Sequence, residues 1–426
     1  MIRFLLLLAF FIPLTLHIHP HNTPPEVRMV FPGYEMELDI FNWWKSACLY
    51  GIATLIVLIH FLKPKRNRIP IKYTAPLVTY VLLVIMSAVC SNSFELAWFG
   101  MTNYLEGATA IVAYCVLFYF SASYMRNIRA IDIVLSVVTL LMLAVCSVQF
   151  FRTDTFSLPI IRNLILGSLI DKVGISSYAW PLYGTIMNSN ILGTFAALVY
   201  AFFLGRKNWS MVCASILIAL GAQSRGAFLA MGIATLYVFF NSGLGKKVIV
   251  VPAITALIGF GLMQFNLLGK FHIPILNSSG RTFVWRETLK IIQAPNLIGE
   301  GPGIFALKFP QADTPEKLAN GWPRGTVIDR PHNFYLNTLY SSGVLGLCTV
   351  LFLFFTFFCD VYLVQRNNKC LIPISAAVLS YLLNVFFTDS CTAVAPLFWI
   401  ILGTGVGLIN DSKINKSKSR SKLCPR

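Results

Sequence analysis

Three residues in this chain pair a useful chemistry with an unusual position: Arg225, Arg281 and His332. An arginine fork matches phosphate oxygens bidentately and does not deprotonate, and histidine exchanges a proton near neutrality. Arg225 interrupts two apolar runs at Gln223-Ser224-Arg225-Gly226. Arg281 opens the helical-looking Arg281-Thr282-Phe283-Val284-Trp285-Arg286-Glu287-Thr288-Leu289. His332 stands in Arg330-Pro331-His332-Asn333, where a long polar stretch returns to an apolar run at Phe334. Each has a plainer alternative. Arg225 reads equally as a snorkelling interfacial anchor, Arg281 with Trp285 as one face of a helix lying on a membrane, and His332 as a helix-cap histidine.

Spacing and neighbours tilt these readings toward chemistry. Arg281 and Trp285 stand four apart and share a helical face, while Arg286 points elsewhere and Glu287 can pair with Lys290. Two arginines directed at one place suit a diphosphate. Arg330, two residues from His332, should disfavour the protonated imidazole and keep it neutral as a base. Arg286 and Arg330 are further possible substrate contacts. Gly299-Glu300-Gly301-Pro302-Gly303 lacks the preceding strand, the spacing and the later acid of a dinucleotide loop, so its expected role is close backbone approach, folding the loop beneath His332. Glu106, Asn188, Asn190 and Asp389 sit at ends of apolar runs. Glu106 and Asn188 could orient sugar hydroxyls or hydrogen-bond between helices.

The elements that must hold these residues are membrane helices. Of 426 residues, 56% are hydrophobic and 12% charged, against roughly 25% charged in soluble domains, and the mean hydropathy is +0.70. At about 20 apolar residues per crossing, the chain holds about twelve spans. The first, Phe4 to Leu16, is bounded by His17 to Asn22 rather than by a small-residue cleavage site, and reads as a short span rather than a signal peptide. The net charge of +17 comes from Lys and Arg in short clusters between apolar runs, a topology signal rather than a nucleic-acid surface. The 10 cysteines, among them Cys90, Cys115, Cys146, Cys213 and Cys348, form no Cys-x-x-Cys pair and read as small apolar fillers.

Basic loops alternate with non-basic ones. Lys63 to Lys72, Arg126/Arg129, Arg206/Lys207, Lys246/Lys247, Arg366/Lys369 and the tail Lys413 to Arg426 share one side, which the positive-inside bias makes cytoplasmic. The loops with Glu95, Arg152 to Lys172, Arg225, Arg281 to His332 and Asp389 then face outward. The expected organisation is helices one to nine over 1–265, an outward catalytic loop over 266–333 between the ninth and tenth helices, helices ten to twelve over 334–409 and a basic cytoplasmic tail over 410–426. The insert Pro310 to Asp329 reads as a surface loop.

Gly-Arg…Trp at Gly280, Arg281 and Trp285, then Gly299-x-Gly301-x-Gly303-x-Phe305 and Pro331-His332-Asn333, stand in this order before a span. With Gly184 to Asn190 and Gln223 to Gly226 upstream, the chain resembles the O-antigen ligase-like membrane proteins over roughly residues 95 to 350. The resemblance implies an all-α polytopic fold of the GT-C-like kind in a bacterial cytoplasmic membrane. It implies inverting, metal- and cofactor-independent transfer of a glycan from a polyprenyl diphosphate donor to a hydroxyl of a glycan or lipid A-core, on the outer, periplasmic face among membrane lipid and without nucleic acid. Arg225 and Arg281 would hold the diphosphate and His332 would be the catalytic base. Ligation and polymerisation of repeat units both fall within this family. A polyprenyl-linked glycan transporter is the alternative from another class, and it predicts paired broken helices with midplane charges.

Overall fold

In hydrocarbon a backbone must satisfy its own hydrogen bonds, and helices do so within one segment. The apolar runs fold accordingly in a computed structural model, which describes residues 1–17, 19–30, 36–62, 69–101, 104–151, 181–186, 188–243, 250, 280–292 and 296–423. The chain is a helical, multi-pass membrane protein. Among the described residues, six helices are long and apolar enough to cross a bilayer: α3 (Trp43–Leu62), α4 (Ile71–Val89), α7 (Ile128–Phe151), α8 (Ser189–Arg206), α14 (Phe334–Val364) and α16 (Ala395–Leu423), the last over its first 20 residues. Shorter apolar helices are α6 (Ala108–Tyr124), α9 (Trp209–Ala222) and α15 (Leu371–Asn384). α10 (Arg225–Ser242) begins on the arginine singled out above. The expected run at 248 to 265 lies, apart from Val250, outside the described residues, as does Arg152 to Lys172.

The expected first span is not one continuous helix. α1 (Ile2–Leu8) passes into a 3₁₀ turn over Ala9–Leu14 that contains Pro13. Together they rise only about 22 Å, short of a bilayer core of about 30 Å. Two short segments with no legible period, β1 (His19–Asn22) and β2 (Met36–Asp39), pair as an antiparallel ribbon, and α2 (Pro25–Val30) lies between them in the chain.

The helices under the site are joined by small residues and polar contacts rather than by apolar driving force, which lipid does not supply. α8 packs on α9, α10 and α15. A Cβ at Gly193 of α8 would overlap Ser224, so this glycine lets the turn before Arg225 sit directly on the helix. Thr194 Oγ1 donates to Asn384 Oδ1 at 2.6 Å, and Ser380 Oγ donates to the Ala197 carbonyl at 2.9 Å. α9 and α15, at 14 residues each, rise about 21 Å, so the segments that follow them start below the level a full span of about 30 Å would reach.

α14 is broken at Gly343, whose φ of 69° and ψ of −174° are not helical. The freed backbone groups are bonded by the glycine-rich loop. Glu300 and Gly301 donate to the Tyr340 and Ser341 carbonyls at 3.0 and 3.1 Å, and Val344 and Leu345 donate to Asn296 and Leu297 at 3.2 and 3.3 Å. Gly299, Gly301 and Gly303 all have positive φ, and a Cβ at Gly299 would overlap the Ser341 backbone. Close approach is therefore the role of these glycines, as expected: Gly299 meets the middle of α14, while Gly301 meets Ser91 and Ala97 and Gly303 meets Leu96 and Gly100.

The insert is more ordered than a plain surface loop. After α12 (Phe305–Lys308), the helix α13 (Pro315–Ala319) carries Lys317, which is fully buried and knots the insert. Its Nζ donates to the Gln311 carbonyl at 2.8 Å and to Asp313 Oδ1 at 3.1 Å. Asp313 Oδ2 accepts from Gly325 N at 2.9 Å, and Gln311 bonds Ala306 and Ile328.

Candidate active site

Arg225 is the first residue of α10, and Arg281 is the first residue of α11 (Arg281–Ile291). A helix N-terminus already carries partial positive charge, so a cation there is disfavoured by about 0.3–1 kcal/mol. Two such violations meet in one place. Arg225 and Arg281 line a common cavity of about 310 Å³ whose other walls include Leu229, Trp285 and Phe387. Burial and the neighbouring Arg225 charge lower the Arg281 pKa, against the pull of Asp389. A cavity with two guanidiniums, two helix N-termini and an apolar wall is chemically suited to an anionic head on a lipid chain.

The expected face-sharing holds: Trp285 lines the cavity with Arg281. Arg286 turns away, as expected, and pairs with Glu316 and with Glu287, the latter at 3.3 Å, while Glu287 also takes Lys290 at 2.8 Å. Its charge is spent on the surface of α11 and the insert.

Trp285 also connects the cavity to His332. Its indole N–H donates to the Pro331 carbonyl at 3.0 Å, one residue before the histidine. His332 lies in the left-handed region at φ 52°, a conformation that His tolerates better than most residues. It does not cap α14. That role falls to Asn333, whose Oδ1 accepts from Tyr335 N and Leu336 N at 2.9 and 3.0 Å.

The group facing His332 is Asp389. Its carboxylate accepts the backbone N–H of His332 at 2.9 Å and that of Asn333 at 3.2 Å, and its Oδ2 lies 3.6 Å from His332 Nδ1. Burial raises the Asp389 pKa, with His332 and Arg330 acting in the opposite direction. Asp389 was visible in the sequence as an acid at a span end. Its pairing with a histidine 57 residues earlier carried no local signal. Phe387 lines the arginine cavity and Asp389 holds the histidine, so the segment after α15 touches both halves of the site.

Arg330 is bonded to Glu106 and the segment after α15. Its Nη1 donates to Glu106 Oε2 at 3.1 Å and to the Ser390 carbonyl at 2.8 Å, and its guanidinium lies over the Tyr104 ring, 3.6 Å from the centroid. Burial opposes the Arg330 charge, yet Glu106 and Asp389 keep it above its ordinary range. Glu106 is completed by Tyr114, whose hydroxyl donates to Oε1 at 2.9 Å. The charges of Glu106 and Arg330 are thus turned on each other, behind the histidine loop. Asn188 caps α8, its side chain accepting from Asn190 N at 2.8 Å. Of the expected site residues, Arg225 and Arg281 line the cavity and Trp285 joins its wall to the residue before His332, whereas Arg286, Asn188 and the Glu106–Arg330 pair are engaged elsewhere.

One further residue carried no sequence signal. Trp322 of the insert lies with its ring parallel to the His332 imidazole, 7° between planes and 6.0 Å between centroids.

Part of this arrangement falls inside a segment that a known family shares. Residues 209–351 form an O-antigen ligase (Wzy_C) family domain. The O-antigen ligase segment runs from α9 to just past the break in α14 and contains Arg225, Arg281, the glycine loop and His332, while Glu106, Asn188 and Asp389 lie outside it. The family is one of bacterial envelope biosynthesis with membrane glycan-transferring activity on lipid-linked glycans. No curated protein matches the chain. Among the described residues, no three His, Cys, Asp or Glu side chains gather as a metal site.

Proposed function

We propose that the chain is an inverting glycosyltransferase that moves a glycan from a polyprenyl diphosphate carrier to an acceptor hydroxyl, without a metal ion, at the outer face of a bacterial cytoplasmic membrane. The observation that carries this reading is the shared cavity of Arg225 and Arg281, whose Trp285 wall is bonded to the residue before His332. The diphosphate lies against the two arginines and the two helix N-termini, and the polyprenyl chain leaves along the apolar wall. His332, its Nδ1 side turned to Asp389, takes the acceptor hydroxyl proton on Nε2. The acceptor oxygen forms a bond to the anomeric carbon from the face opposite the leaving group. The bond from that carbon to the diphosphate oxygen breaks, its electron pair leaves with the diphosphate, and the imidazolium returns its proton to water. Stabilisation of the departing diphosphate by the arginines lowers the barrier most, and the base adds about 10²–10⁴-fold.

The transporter reading draws on one feature, the break at Gly343. Its freed backbone groups are bonded by residues 296–301, which leaves them no substrate to hold.

The acceptor is proposed to be lipid A-core, with polymerisation of repeat units as the competing reaction. The surface glycan of a deletion strain separates them. Loss of a ligase leaves carrier-linked polymer accumulating, and loss of a polymerase leaves single repeat units. Reporter fusions at 318 and 415 should fall outside and inside; both on one side would overturn the outward site.

A further inference from the structure

Two tryptophans cross between the halves of the site. Trp285, on the Arg281 helix, donates to the Pro331 carbonyl beside His332. Trp322 runs the other way: its indole N–H reaches the Gly280 carbonyl, one residue before Arg281, at 3.3 Å, and its ring lies parallel to the His332 imidazole, 6.0 Å between centroids. Gly280 is fitted to it, with φ of 69° and no room for a Cβ, which would overlap Trp322 Nε1. The knot around buried Lys317 fixes the other side, since Trp322 N donates to the Lys317 carbonyl at 3.3 Å.

We propose that Trp322 is a positioning residue for glycan transfer, holding the His332 ring at a set orientation and distance from the start of the Arg281 helix. This inference rests on the reading of His332 as base and Arg281 as diphosphate clamp. Asp389 fixes the backbone through the N–H groups of His332 and Asn333, but at 3.6 Å its contact with Nδ1 is longer than a hydrogen bond. The imidazole, 26% exposed, therefore needs another restraint on rotation about its Cβ–Cγ bond. A flat ring laid parallel to it supplies one. The same indole also grips the Arg281 helix, so base and clamp are set relative to each other rather than separately.

The test is single-turnover transfer and donor affinity, measured on the same preparations of full-length protein in nanodiscs with a polyprenyl diphosphate-linked glycan. Trp322→Ala should slow transfer by about 10²-fold, the scale of an ångström-level misplacement, with donor affinity changed less than about threefold. Trp322→Phe keeps a flat face and loses the N–H bond, so it should recover about tenfold of that loss. Gly280→Ala, which displaces the indole, should slow transfer by about tenfold alone and add little to Trp322→Ala, because the two changes remove one contact. Wild-type transfer in Trp322→Ala would overturn the proposal, as would an equal fall in affinity and rate, or full multiplication of the two losses. Should Trp322→Ala fail to fold, Trp322→Phe at the wild-type rate overturns it. His332→Ala run alongside separates the two levels. Activity there removes the underlying reading, whereas a dead His332→Ala with a fully active Trp322→Ala removes only the role of Trp322.

Discussion

The two ends of the helix bundle handle charge in opposite ways. At the end that gathers the basic loops, the acids Asp132, Asp360 and Asp411 each meet a base from another segment. Arg206 reaches Asp132 at 3.0 Å, Arg126 reaches Asp411 at 2.6 Å, and buried Asp360 takes Lys72, Lys413 and the Tyr73 hydroxyl. At the other end the Arg330–Glu106 pair is closed in the same manner, but Arg225 and Arg281 are set side by side on two helix N-termini and one cavity. Opposite charges joined across helices secure packing. Like charges collected on a cavity raise the energy of the protein alone and lower it when an anion arrives, which is the pattern expected where function overrides local preference.

The contrast can be broken at several points. The largest expected effect is at His332. His332→Asn, which tolerates the left-handed backbone, should lower transfer by about two to four decades while donor binding persists, as measured by single turnover and donor titration. Arg225→Lys and Arg281→Lys keep the charge and lose the fork, so affinity and transfer should weaken together by about 10- to 100-fold, the worth of a charge-assisted hydrogen bond. Either variant with wild-type affinity and rate would erase the distinction between the ends.

Acidification sharpens it differently. Because the Asp389 pKa is raised, this carboxylate protonates above the ordinary aspartate value of about 3.9, and transfer should fall with pH from above that point. The sign for stability is opposite. A group with a raised folded pKa contributes most below its unfolded pKa and loses that contribution as pH rises through the folded value. Transfer and thermal unfolding followed from neutral to acid pH should therefore diverge. Loss of activity tracking loss of fold would contradict this account of Asp389. The smallest effect belongs to the basic end, where Asp411→Asn removes a half-exposed partner of Arg126 and should change stability by about 0–1 kcal/mol with transfer unaltered.

The membrane helices and the two arginines were legible because they leave local signals: apolar length, charge bias, and four-residue spacing that put Arg281 and Trp285 on one cavity wall. The surface pair Glu287–Lys290 was legible for the same reason. Contacts between distant segments were not. Nothing local tells Arg330 to turn to Glu106, 224 residues away, rather than to His332, or assigns Asp389 to the histidine. Trp322 was hidden by the composition of the insert, whose Pro, Gly, Asp and Lys look like a solvated loop although Lys317 knots it. The glycine loop announced close approach but not its partner, since a break in α14 at one glycine has no periodic signature.

The most direct test follows both products of one reaction. Purified protein in nanodiscs, in excess chelator, would be given a polyprenyl diphosphate-linked glycan of known anomeric configuration and an acceptor. Free polyprenyl diphosphate would be quantified and the new linkage read by NMR. The account predicts one carrier released per glycan transferred, with inverted configuration and no metal requirement. Retained configuration, dependence on added Mg²⁺ or Mn²⁺, or movement of the intact donor without release of its carrier would contradict it.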